Sequence, residues 1–157
     1  MVADLKEGAS AAPPDPVQRS LVWRMTFPGL EDQPGRVRQE LADVLQAHPE
    51  LDEILLVTSE LCTNAVLHTR SGHQSGTFDV EVTAIGDESL MVAVTDEGAA
   101  TGPRFLAPAP TETHFRGLQV VKGLSRDCGV DGGAKGRTVW ALFAPLGSVV
   151  SCPDGAC

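Results

Sequence analysis

From Leu51 to Thr69 the chain reads LDEILLVTSELCTNAVLHT, and this segment constrains the fold more than any other. At about 100° per residue, Leu51, Ile54, Leu55, Leu61, Cys62 and Ala65 fall on one apolar face, which predicts a helix. Leu56 and Leu67 lie on a second side. A helix apolar on two sides is expected between other elements rather than on a surface. Glu60 and Asn64 share a stripe with Glu53 and Val57 and come out at the edge of the packed region.

The flanking sequence supplies the elements around that helix. SLVWRMTFPG alternates Leu21, Trp23, Met25 and Phe27 before Pro28-Gly29, the pattern of a strand closed by a turn. A first helix follows Pro34, with Val37, Leu41, Val44 and Leu45 at helical spacing and His48-Pro49 ending it. Phe78, Val80, Val82 and Ala84 alternate, Gly86-Asp87 turns, and Leu90, Val92 and Val94 alternate back, which predicts a hairpin. Ala99 to Arg116 is rich in Pro, Ala, Gly and Thr with no apolar period, as a long functional loop would be. GLQVVKGLS reads as a third helix and Gly136 to Phe143 as a last strand. Strands on one side and helices on the other predict an α+β two-layer sandwich.

At 157 residues with 42% in the hydrophobic class, the chain has material for one core. Residues 1–18 read as a disordered arm, 19–147 as the domain and 148–157 as a frayed tail. The formal charge of -9 argues against a broad contact with nucleic acid or an anionic membrane, since such contacts rest on clustered Lys and Arg. No apolar run approaches the ~20 residues that span a bilayer, and no signal-peptide core precedes the fold, so the expected location is the cytoplasm. Cys62, Cys128, Cys152 and Cys157 have neither CxxC spacing nor neighbouring histidines. A zinc site is therefore not expected, and the tail pair is read as free thiols.

Residues four apart on a helix point the same way, so Glu60 and Asn64 can reach one bound group together. A carboxylate can take a proton and an amide oxygen can bind a hard cation, although the same pair also suits a solvated helix edge. Asp96-x-Gly98 at a strand end is either a turn in which Asp bonds its own backbone or a place where a carboxylate accepts the exocyclic amine of adenine and repels the carbonyl of guanine. Gly98 would then let base and backbone approach closely. Gly117, at a helix start, offers free N–H groups to phosphate or is a flexible loop end. His68 reads as a helix-end residue and not as a phosphoacceptor.

Taken in order, Glu60-x-x-x-Asn64, Asp96-x-Gly98, a long loop, Arg116-Gly117-Leu118 and Gly136-Arg137-Thr138-Val139-Trp140 resemble the boxes of the ATP-binding fold shared by gyrase, the heat-shock chaperone, sensor histidine kinases and mismatch-repair ATPases. The resemblance runs from about Ser20 to Leu146. It is closest to small single-domain anti-sigma factor serine/threonine kinases of actinobacterial type, in TFPG, SELCTNAVLHT and GRTVWALF. It implies the Bergerat fold, a mixed, largely antiparallel sheet covered by helices on one face, with ATP or ADP and Mg2+ as ligands. It also implies Glu60 as general base, Asn64 as magnesium ligand, Asp96 as adenine reader and Thr138 as the support of the Asp96 carboxylate. Gly98, Arg104, Arg116, Gly117 and Leu118 join the nucleotide-binding set. The family's phosphate loop usually reads Gly-x-Gly, and here Phe115 takes the first position, which implies a stiffer or displaced lid. Arg104, Arg116, Lys135 and Arg137 are candidates for compensating positive charge.

Three functions remain open on the sequence. One is a kinase that phosphorylates an anti-sigma factor antagonist and holds a sigma factor inactive. The second is a nucleotide-binding module that sequesters a partner without phosphoryl transfer, and the third is a small ATPase. Glu60 favours the first and Phe115 the second. A homodimer is implied by the resemblance alone.

Overall fold

The computed structural model describes residues 18–99 and 116–147, with Arg116 as backbone only. The expected arm, the tail, nearly all of the long loop, and with them Arg104 and Phe115, lie outside the described residues. Among the described residues five strands and three helices follow in the order β1 (Arg19–Pro28), α1 (Gln33–Val44), α2 (Leu51–His68), β2 (Thr77–Ile85), β3 (Ser89–Asp96), α3 (Arg116–Leu124), β4 (Asp127–Gly133) and β5 (Gly136–Phe143), with a 3-10 turn at Arg70–Gly72 after α2. The sheet order is β1-β2-β3-β5-β4 and every pairing is antiparallel. Helices on one face of one sheet make the expected α+β sandwich.

Strand alternation divides the sheet into two faces. Val80, Val82, Leu90, Val92, Val94, Val139, Ala141 and Phe143 point to the helices and share one core with Ile54, Val57, Leu61, Cys62 and Ala65 of α2 and Val37 and Leu41 of α1. Each such large apolar side chain contributes roughly 1.5–3 kcal/mol by leaving water. Met91, Ala93 and Trp140 form a smaller cluster on the opposite face. The α2 helix packs against α1, α3 and β3, so it is central as its sequence demands.

Three local readings change. Leu56 and Leu67 are 43% and 53% exposed, and the further buried positions of α2 are Val57, Thr58 and Val66. The neighbours of α2 flank it without enclosing it, and Leu56 lines an open groove with Arg38 and Asp52 between α1 and α2. Leu21 is 62% exposed, because a bulge between Leu21 and Trp23 breaks the alternation of β1. Finally, DCGVDGG is the edge strand β4, a segment with no strand pattern of its own. The ladder to β5 makes it a strand, and Gly129 admits the ring of its register partner Trp140 against its backbone.

The end of β5 is tied to the α1–α2 connection. Nδ1 of His48 accepts from the Glu50 N–H at 3.0 Å, so Nε2 carries the proton donated to the Ala144 carbonyl at 2.9 Å. The Ala144 N–H in turn donates to the Glu50 carboxylate at 2.6 Å.

Candidate nucleotide site

The helix-facing side of β3 and β5 ends in charge. Val94 is followed on that face by Asp96, and Val139 is preceded on it by Arg137, its register partner across the β3–β5 ladder. Asp96 and Arg137 are 6% and 5% exposed. Oδ1 of Asp96 accepts from the Gly98 N–H at 2.7 Å, and Oδ2 stands 3.5 Å from Nε of Arg137, an ion pair without hydrogen-bond geometry. Burial pushes the Asp96 carboxyl up from its ordinary pKa, against the Gly98 N–H and the Arg137 charge, which hold it down.

Gly98 is required where it stands. Its φ is +83°, and a Cβ there would strike the backbone of Ala134 in the β4–β5 turn. The turn after α2 clamps the same strand end. The Arg70 N–H donates to the Gly98 carbonyl at 3.0 Å, its guanidinium donates to the carbonyls of Glu97 and Ala134, and Ser71 Oγ accepts from the Glu97 N–H at 2.9 Å. Neither Arg70 nor Ser71 stands out in the sequence, since each acts through backbone partners about 26 or more residues away that only the fold brings near.

On α2, Glu60 and Asn64 are both half-buried. The carboxylate of Glu60 lies directly against Gly117 in the first turn of α3, in the space a Cβ would fill. Asn64 is one turn further on the same side. Its Nδ2 is buried and has no hydrogen-bond partner among the described residues. Whichever end of the amide points there, a buried polar atom is left to be satisfied, and buried polar groups are normally paired. The chemistry of that amide suits a magnesium-bound nucleotide. Among the described residues no group of three or more His, Cys, Asp or Glu could hold a metal ion, so any ion here would take most of its ligands from phosphate and water, the usual habit of Mg2+.

The fold therefore brings Glu60 to Gly117 and places Asp96 beside Gly98. It does not bring Thr138 to Asp96. Thr138 sits on the opposite face of the sheet, where its hydroxyl pairs with that of Thr95 at 2.8 Å, because adjacent residues of a strand point to opposite sides. Leu118 is 2% exposed and its side chain belongs to the core. His68 is an exposed residue at the end of α2.

The profile of a family described as Histidine kinase-like ATPase domain matches residues 27–143. A solved structure, the RsbU and RsbW domains of Rv1364c from Mycobacterium tuberculosis, matches with a TM-score of 0.60 at 20% identity and covers 78% of this chain. The chain spans 31% of that solved chain's length. At that identity the likeness concerns the fold. A comparison with curated proteins returned no match. No helix among the described residues is long and apolar enough to cross a membrane.

Proposed function

The chain belongs to the family of histidine kinase-like ATPase domains, and on that premise we propose that it is an ATP-binding regulatory protein, an anti-sigma factor serine/threonine kinase whose substrate is an antagonist protein. When the antagonist is phosphorylated, the kinase is free to hold a sigma factor and withhold it from transcription. The observation that carries this reading is the stripe on α2, where Glu60 lodges against the start of α3 and Asn64, four residues on, has a buried amide nitrogen without a partner among the described residues. The RsbW domain in the name of the solved structure agrees with it.

In this reading Asp96 accepts the adenine amine at the end of β3. Asn64 would hold magnesium through its amide oxygen, and the ion would supply charge neutralisation at the phosphates. The first turn of α3 presents backbone N–H groups, and a helix N-terminus favours an anion there. Glu60 takes the proton of the attacking serine or threonine hydroxyl on a carboxylate oxygen, a step that typically accounts for roughly 10²–10⁴ in rate. Most of the remaining work is positioning, as is general for phosphoryl transfer.

The test combines binding and transfer. Calorimetry is expected to show magnesium-dependent binding of ATP and ADP with rejection of GTP, and labelled ATP is expected to mark a co-encoded antagonist on a serine or threonine. Equal affinity for ATP and GTP would remove the adenine assignment. Phe115 favours a second reading, a nucleotide-dependent module that sequesters its partner. If wild type and Phe115→Gly both bind a sigma factor or antagonist yet neither transfers phosphate, that second reading replaces the kinase.

A further inference from the structure

We propose that Arg137 is the residue that positions the Asp96 carboxylate for adenine, the task that the sequence resemblance assigned to Thr138. The inference rests on the adenine reading of Asp96 given above. Arg137 and Asp96 are cross-strand partners on the helix-facing side of the sheet, with side chains 6% and 4% exposed and Nε 3.5 Å from Oδ2. The other carboxylate oxygen is held by the Gly98 N–H. Both oxygens thus have a fixed neighbour, which sets the plane of the carboxylate and leaves lone pairs on it for an incoming amine. Thr138 points through the sheet and spends its hydroxyl on Thr95.

A buried ion pair is a poor way to stabilise a fold, because desolvation of both ions offsets their attraction and apolar residues of similar volume commonly do as well. A pair retained at the open end of the β3–β5 ladder, next to the one glycine at positive φ that the strand end requires, points to binding instead. The electrostatics agree. The charged groups acting on Asp96 are Arg137 from β5 and Glu97 on its own strand end; burial drives its carboxyl towards the neutral form, the Gly98 N–H and Arg137 oppose this, and Glu97 adds to it. Without Arg137 the carboxyl keeps its proton to higher pH. A protonated Asp96 gives up one acceptor oxygen to its proton and the charge that makes the other a strong acceptor for the amine.

The test is ADP-magnesium calorimetry across a pH series on wild type, Arg137→Met and Arg137→Lys, with carbon-13 titration of the Asp96 carboxyl in the nucleotide-free proteins. Arg137→Met is expected to lose about tenfold or more in affinity between roughly pH 8 and pH 6, following a carboxyl that keeps its proton to higher pH than in wild type, while wild type changes far less. Arg137→Lys retains the charge and is expected to restore most of the wild-type pH profile; it also serves as the measurable variant should Arg137→Met not fold, with affinity then reduced at all pH values because a lysine does not reproduce the guanidinium geometry. Wild-type affinity and pH profile in Arg137→Met, or undiminished affinity in Arg137→Lys where Arg137→Met does not fold, would overturn the proposal, as would tighter binding, which would mean that the guanidinium competes with the base. ADP binding with an unmoved Asp96 titration removes the role of Arg137 and leaves the adenine reading intact. No ADP binding by folded wild-type protein removes both.

Discussion

The carboxylate of Glu60 occupies the space in which a side chain on Gly117 would begin, so Glu60 keeps this position against the first turn of α3 only because residue 117 has no Cβ. Gly117→Ala must therefore displace Glu60. Labelled phosphate transfer is expected to fall by roughly 10²-fold, the cost of a base moved by about an ångström, with adenine affinity little changed because Asp96 lies on another element. Transfer at the wild-type rate in Gly117→Ala would show that Glu60 is not the base.

Asn64→Ala separates function from stability. The variant loses an oxygen ligand for magnesium and is expected to bind ADP-magnesium more weakly while binding magnesium-free ADP as wild type does. Its melting temperature is expected to stay within about 4 °C of wild type, since the amide nitrogen removed is buried without a partner among the described residues and only about 1 kcal/mol of other contact is at stake. A large drop in melting temperature with unchanged magnesium dependence would make Asn64 a structural residue.

Gly98→Ala acts on both properties. A positive φ in a non-glycine residue costs on the order of 1–3 kcal/mol, and the new Cβ would also meet the Ala134 carbonyl carbon at 2.6 Å. The variant is expected to melt several degrees lower and to bind adenine nucleotides more weakly, because the N–H that orients Asp96 moves with it. Wild-type melting and affinity together would show that the strand end can relax.

Asp79 provides a pH prediction away from the site. Partial burial raises its pKa, but hydrogen bonds from Thr26 and Arg24 and the Arg24 charge outweigh that, so the folded value lies below the ordinary one. A depressed carboxylate stabilises the fold above its unfolded pKa and loses that contribution as pH falls through the folded value. Asp79→Asn is thus expected to be less stable than wild type near neutrality in urea unfolding, with the gap closing in acid. A gap independent of pH would mean that packing, not charge, is what the substitution removes.

The apolar periods of the sequence determined most of the elements, because burying one stripe of a helix or one face of a strand leaves few other arrangements for Val37, Leu41, Ile54, Leu61, Val80 and Val92. They also put Glu60 and Asn64 on one side of α2, since i and i+4 coincide in any helix. The order of the motifs was enough to name the family. What the sequence left undecided depends on contacts between distant segments. The strand Asp127–Gly133 exists because β5 offers it a ladder and Trp140 packs on Gly129. The exposure of Leu21 follows from a bulge that is visible only in the register with β2. The partner of the Asp96 carboxylate was decided in the same way: adjacent residues on a strand face opposite sides, and the register of β5 against β3 turned Arg137 towards the carboxylate and Thr138 away from it.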